Sequence, residues 1–169
     1  MPKMRKKVLE HPKAMNPANA PDSLENAMQR FSRTLLAEEP LYPVVLERVD
    51  GQANYIVEAG QARCFLHSAY DRPHEMRELF RDVSPATQIL VLYGFGMGDA
   101  IVWAGENLPE LERVIVIEPS PQLMISALKY PGVVDKLKKV PIVDFVVNKP
   151  VKEAAEFMMG RMEQDVHKK

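Results

Sequence analysis

The sequence predicts an α/β protein whose second half carries a short parallel sheet. Three apolar runs, Ile89 to Tyr93, Val114 to Ile117 and Val140 to Val147, are separated by helical stretches from Met97 to Asn107 and from Pro121 to Tyr130. Alternation of this kind builds parallel strands joined by crossover helices. The first run passes directly into Gly94-Phe95-Gly96-Met97-Gly98-Asp99, and helical spacing begins at once with Ala100, Ile101, Ala104 and Leu108. The reading is a Rossmann-like half unit, a three-stranded parallel β-α-β-α-β arrangement over Gln88 to Val147, preceded by a helix and a small antiparallel β-meander.

The elements follow in chain order. Lys3, Arg5, Lys6 and Lys7 with Pro12, Pro17 and Pro21 mark residues 1–21 as an extended, solvated tail. From Asp22 the pattern turns helical, with Asp22 and Glu25 as a cap and Leu24, Ala27, Met28, Phe31 and Leu35 on one stripe. Between Tyr42 and Leu66 the period becomes two. Val44-Val45-Leu46, an Asp50-Gly51 turn, Tyr55-Ile56-Val57, Gly60 and Cys64-Phe65-Leu66 predict the meander. Asp71 then caps a helix with Pro73 as its first residue and Met76, Leu79 and Phe80 as its apolar side. After the parallel unit, Val151 to Gln164 is amphipathic, with Val151, Ala154, Ala155, Met158, Met159 and Met162 on one face. Its methionines fill a core or an interface, and an oligomer through this Met-rich helix is one expectation. The chain thus divides into 1–21 as tail, 22–87 as helix, meander and helix, and 88–169 as the Rossmann-like unit, with 22–169 forming one domain.

Composition narrows the function. The 169 residues are 46% hydrophobic, which suits one domain with a real core. Lys and Arg number 22 against 23 Asp and Glu, so no bulk charge points to nucleic acid or a membrane surface. A single cysteine, Cys64, allows neither an intrachain disulfide nor a cysteine metal cluster. No stretch approaches the roughly 18 apolar residues of a membrane span, and no N-terminal run reads as a signal peptide. A cytoplasmic protein is expected.

The glycine loop is the main candidate site. Residues without a Cβ let the chain turn tightly and approach a ligand, while helix N-terminal amides point outward. The spacing is G-x-G-x-G, with Asp99 where a dinucleotide fingerprint has its third glycine. A carboxylate there suits hydroxyls or an amine better than a pyrophosphate. Equally, Asp99 reads as a first-turn residue favoured by the helix dipole. Glu118, about twenty residues past the loop at the end of the second strand, occupies the place of a ribose-holding acid. The expected ligand contacts are Gly94, Gly96, Gly98 and Glu118, with Asp99 as a lesser contact and Tyr93 as a surface on which a base could stack. The ligand itself is open, with a nucleotide or nucleotide sugar as the class. The competing reading is a structural unit without a ligand, in which Glu118 ends its strand and Ser120 caps the next helix.

Three stretches together resemble the motility associated factor family, bacterial proteins that glycosylate flagellin. They are Leu66-His67-Ser68-Ala69-Tyr70-Asp71-Arg72-Pro73-His74-Glu75, Leu92-Tyr93-Gly94-Phe95-Gly96-Met97-Gly98-Asp99 and Val116-Ile117-Glu118-Pro119-Ser120. The resemblance spans about Ser23 to Val147. The first stretch is the more distinctive, since a glycine loop followed by Glu-Pro also occurs in methyltransferases. Where the family typically carries an aromatic residue after the last loop glycine, this chain has Asp99. The resemblance implies a cytoplasmic protein that transfers a sialic-acid-like sugar, such as pseudaminic acid, from its cytidine monophosphate donor to flagellin. It also implies a larger downstream catalytic domain, leaving this chain as a noncatalytic N-terminal domain whose partners are flagellin or that domain. The rival from another class is an S-adenosylmethionine-dependent methyltransferase, against which stand only about 70 residues after the loop. A third reading is a pure interaction module.

The remaining chemistry is sparse. His67, Ser68 and Asp71 are triad residue types, but neighbours along a strand point to opposite faces. They read instead as a strand end in which Ser68 and Asp71 satisfy backbone amides of the turn and of the next helix. Tyr70 and Asp71 could also frame the sheet edge against a partner domain. His67, His74 and Glu75 lack metal-ligand spacing, so no metal is expected. Trp103 is expected in the core. No residue is assigned catalysis.

Overall fold

The computed structural model describes residues 24–49 and 54–166. The basic tail, the cap expected at Asp22 and the Asp50-Gly51 turn lie outside the described residues.

The chain opens with α1 (Leu24–Leu36), which buries Leu35 and sets Phe31 against the core. The period-two region then forms β1 (Val45–Arg48), β2 (Tyr55–Ala59) and β3 (Ala62–Phe65), an antiparallel sheet in the order β1-β2-β3. Much of this sheet faces solvent, with Val45 and Phe65 exposed, and it is tied to the rest at its inner end. Tyr55 and Leu66 pack on the core, and the Tyr55 hydroxyl reaches the Ser126 carbonyl at 3.3 Å.

Helix α2 (Arg72–Leu79) begins one residue before Pro73, with Asp71 accepting from the His74 amide at 2.8 Å as its N-cap. Proline is tolerated at that second position because first-turn amides have no partner within the helix. The parallel unit is then β4 (Ile89–Tyr93), α3 (Asp99–Asn107), β5 (Arg113–Glu118), α4 (Pro121–Leu128) and β6 (Val143–Val147), in sheet order β4-β5-β6. Ser120 caps α4 by accepting from the Leu123 amide at 3.3 Å, as the sequence allowed. A short α5 (Val133–Lys136) and a 3-10 turn (Leu137–Lys139) precede β6, which starts three residues later than the apolar run from Val140 suggested. Val140 is buried after that turn and Pro141 follows it. An apolar run records burial without fixing which element supplies it. Helix α6 (Val151–Val166) closes the described chain.

Strand alternation gives the parallel sheet two apolar faces. Leu90, Leu92, Val114 and Val116 lie in the main core with Ile101 and Ala104 of α3 and Met124 and Leu128 of α4. Ile115 and Val146, with Ile89 and Ile117, face Ala154, Phe157 and Met158 of α6. Each fully buried aliphatic side chain of this kind contributes about 1.5–3 kcal/mol. On the α6 side Asp144 pairs with Arg113 and lies 3.8 Å from Arg161 of α6.

Helix α3 runs close to the 3-10 turn at Gly105, where a Cβ would stand 2.4 Å from the Lys139 carbonyl oxygen. In an exposed helix, Gly→Ala stabilises by roughly 0.5–1 kcal/mol. Here the contact atom is backbone, so Gly105→Ala is expected to destabilise instead, by about 1–3 kcal/mol. Urea unfolding of the two proteins checks the sign.

Candidate functional site

The fold brings the expected loop and acid together. Gly94, Gly96 and Gly98 all take positive φ, 96°, 57° and 77°, a region that side chains with a Cβ rarely occupy. The turn they make lies between the end of β4 and the start of α3, alongside Glu118 at the end of β5. Gly98 serves as the α3 N-cap without a side chain to accept the first amides.

Four of the loop's amides are satisfied from within the protein. The Gly94 N–H donates to the Ile117 carbonyl at 2.8 Å and the Gly98 N–H to the Phe95 carbonyl at 3.1 Å. The Phe95 N–H donates to Glu118 Oε2 at 2.9 Å, and Glu118 Oε1 accepts from the Ser120 N–H at 2.9 Å. Glu118 is only 4% exposed, and both its oxygens are engaged with backbone. Burial raises its pKa above the ordinary 4.5, while the Phe95 and Ser120 amides pull it down. The carboxylate thus fastens the loop after β4 to the loop after β5.

The Met97 N–H finds an acceptor that sequence reasoning missed. It donates to His67 Nε2 at 3.0 Å, across 30 residues of sequence. An amide can only donate, so Nε2 carries a lone pair and Nδ1 carries the hydrogen, which faces Glu75 Oε1 at 3.2 Å. The ring is held in place from behind. Buried Asn54 donates through Nδ2 to the His67 carbonyl at 2.9 Å and accepts from the His67 N–H at 3.1 Å. The ring also sits where a side chain at Gly96 would be, since a Cβ there would lie 2.5 Å from Nε2.

The stretch from Leu66 to Glu75 is therefore a latch on the glycine loop. Ser68 Oγ accepts from the amides of Tyr70 and Asp71, and Glu75 Oε2 accepts from the Ser68 N–H at 2.8 Å. Ser68 and Asp71 do the backbone work expected of them. What was not legible is His67, because nothing local to residue 67 shows which distant amide it meets. The joint presence of a histidine, a glutamate eight residues on and a glycine loop was the available signal.

Asp99 is the first residue of α3 and is bound on both oxygens. Arg72 reaches Oδ2 at 3.1 Å and Lys136 reaches Oδ1 at 2.5 Å, with Lys136 also donating to the Met97 carbonyl at 2.8 Å. This matches the first-turn reading of Asp99 and ties α2 and α5 to α3. A cleft of about 410 Å³ beside it is lined by Arg72, Met76, Asp99, Trp103 and Glu106, with none of the three loop glycines in its lining. Trp103 is half-buried there, stacked on Phe80 with centroids 4.2 Å apart. Tyr93 is 74% exposed on the α6 side of the sheet. Tyr70, within the latch, is fully exposed.

Among the described residues, the acids at the loop, Glu118 and Asp99, accept on both oxygens, and His67 Nε2 accepts from the Met97 amide. Among the described residues, no three of His, Cys, Asp and Glu group as metal ligands, and no helix is long and apolar enough to cross a membrane. Comparison with protein-family models, curated proteins and solved structures finds no match to this chain.

Two expectations follow. Gly96→Ala drives a methyl group into the His67 ring, and His67→Ala leaves a buried amide without an acceptor, so each is expected to cost about 1–3 kcal/mol. The double variant should lose clearly less than the sum, because removing the ring removes the clash. Denaturant midpoints of the four proteins measure that coupling, and simple additivity would refute the contact. For Glu118, a folded-state pKa above the unfolded value means that protonation favours the folded state. Its contribution is full below the unfolded pKa and declines as pH rises through the folded one. The stability of the parent relative to Glu118→Gln should therefore fall as pH is raised from about 4 to about 8, which melting temperatures across that range would record.

Proposed function

We propose that this chain is the N-terminal Rossmann-like domain of a flagellin glycosyltransferase of the motility associated factor type, acting as a noncatalytic scaffold. Sugar transfer to flagellin from a cytidine monophosphate donor then belongs to a downstream catalytic domain, and this domain's partners are that domain or flagellin.

The observation that carries the noncatalytic part is the occupancy of the glycine loop by its own protein. A phosphate-binding turn presents its amides to the ligand. Here the amides of Gly94, Phe95, Met97 and Gly98 end on Ile117, Glu118, His67 and Phe95. A nucleotide would have to displace His67 to reach the Met97 amide, trading one satisfied buried hydrogen bond for another with little net gain, and its ribose would have to reach a Glu118 that is only 4% exposed. The glycosyltransferase part is supported by the resemblance of the latch, loop and Glu-Pro stretches, which the structure joins in one network.

Calorimetry against cytidine monophosphate, its sialic acid conjugate, S-adenosylmethionine and NAD is expected to give no binding tighter than about 1 mM. A cytidine ligand that binds and is lost in Glu118→Ala would overturn the scaffold reading in favour of a nucleotide site. Binding of S-adenosylmethionine would favour a methyltransferase-like domain.

A further inference from the structure

The two faces of the parallel sheet are used unequally, and the difference has a direction. The steps β4 to β5 and β5 to β6 run one way across the sheet, with α3 and α4 packed on one face. Helix α6 leaves β6 on the opposite face. Parallel crossovers are right-handed in nearly all cases. A right-handed crossover with its helix on the opposite face must step the opposite way, from β6 back toward β4. The positions of β5 and β4 are filled, so the next position is the far edge of β4.

That edge has the character of a strand awaiting a neighbour. Among the described residues, no strand pairs with it. The Gly94 amide reaches Ile117 on β5, and in a parallel ladder alternate residues turn their backbone groups to opposite sides. Leu92 and Leu90 therefore turn theirs toward β5, whereas Val91 and Tyr93 turn theirs outward. Edge strands are normally blunted by lysine, proline or bulges. The sequence Ile-Leu-Val-Leu-Tyr contains none of these, and the Val91 and Tyr93 side chains are 41% and 74% exposed on the α6 side.

Helix α6 matches this edge. Glu153 and Phe157 line a groove with Phe31 and Phe145, which places that flank on the β6 side. By helical spacing, Val151, Met159 and Met162 lie on the other flank, toward β4, and all three are exposed. An exposed apolar shelf thus stands above an exposed apolar edge.

We propose that the open edge of β4 seats a parallel strand of polypeptide running on from α6, making the order added strand-β4-β5-β6. This rests on reading the chain as one domain of a longer protein. The added strand presents apolar residues at alternate positions, continuing the surface of Val91 and Tyr93 beneath α6.

Amide exchange tests it in the full product of the natural gene, with the 169-residue chain as reference. The Val91 and Tyr93 amides are expected to exchange at least ~100-fold more slowly in the full product, with no change on about tenfold dilution. Val91→Lys in the full product should lose that protection while the Leu90 and Leu92 amides, turned to β5, keep theirs. Equal exchange in the two proteins would sink the proposal, as would a natural product ending with α6. Protection that fades on dilution would overturn it in favour of a second copy at the edge. Ligand binding at the glycine loop would overturn the scaffold reading and leave these exchange rates untouched.

Discussion

A chain that leaves the end of a strand through left-handed glycines into a buried turn carries several backbone N–H groups into a place that bulk water does not reach. An amide left there without an acceptor costs about 1–3 kcal/mol, so the turn can exist only if something supplies acceptors. Glu118 and His67 do so here, from two different parts of the chain. The carboxylate comes from the neighbouring parallel strand and the imidazole from the end of the meander. Much of the remaining architecture serves to deliver those two groups.

The delivery of His67 explains why a small, largely exposed meander accompanies the parallel unit. Three short strands with exposed Val45 and Phe65 bury too little to be stable alone. Their inner end carries Asn54, fully buried and bonded to both backbone groups of His67. Glu75, on the first turn of α2, then fixes the ring and the Ser68 amide together. The position of α2 is set in turn by Asp71 at its cap and by Arg72, which pairs with Asp99 at the start of α3. The meander, α2 and α3 are thereby closed into one circuit around the loop. A change at any member propagates to the Met97 amide, since each holds the next in place.

The sequence displayed the repeating parts of this arrangement well. Period-two runs marked the meander, and three continuous apolar runs between helical stretches marked a parallel sheet with apolar residues on both faces. Glycines with an acid twenty residues on singled out the loop and Glu118, which the structure joins through the Phe95 amide. The short α5 and the 3-10 turn were hidden within what looked like the start of β6, since Val140 is buried whichever element carries it. His67 was hidden for a different reason. Its role lies in one hydrogen bond to a residue 30 positions away, and a single long-range contact leaves no periodic trace.

The same geometry bears on how a glycine loop can be misread. The residue pattern that cradles a phosphate requires small residues, a helix start and an acid on the next strand, and each requirement is met here. Each is also met by a turn that must merely pass between strand and helix while an internal side chain approaches its backbone. Gly96 separates the two cases: the atom that excludes a Cβ there is the His67 ring, a resident of the same chain. Glu118 points the same way, since it is only 4% exposed and accepts through each oxygen from the backbone of the two loops it joins. The close approach that demands glycine and the acid that follows it are therefore accounted for without a ligand. At Met97 the amide ends on a histidine just beyond the last strand of the meander.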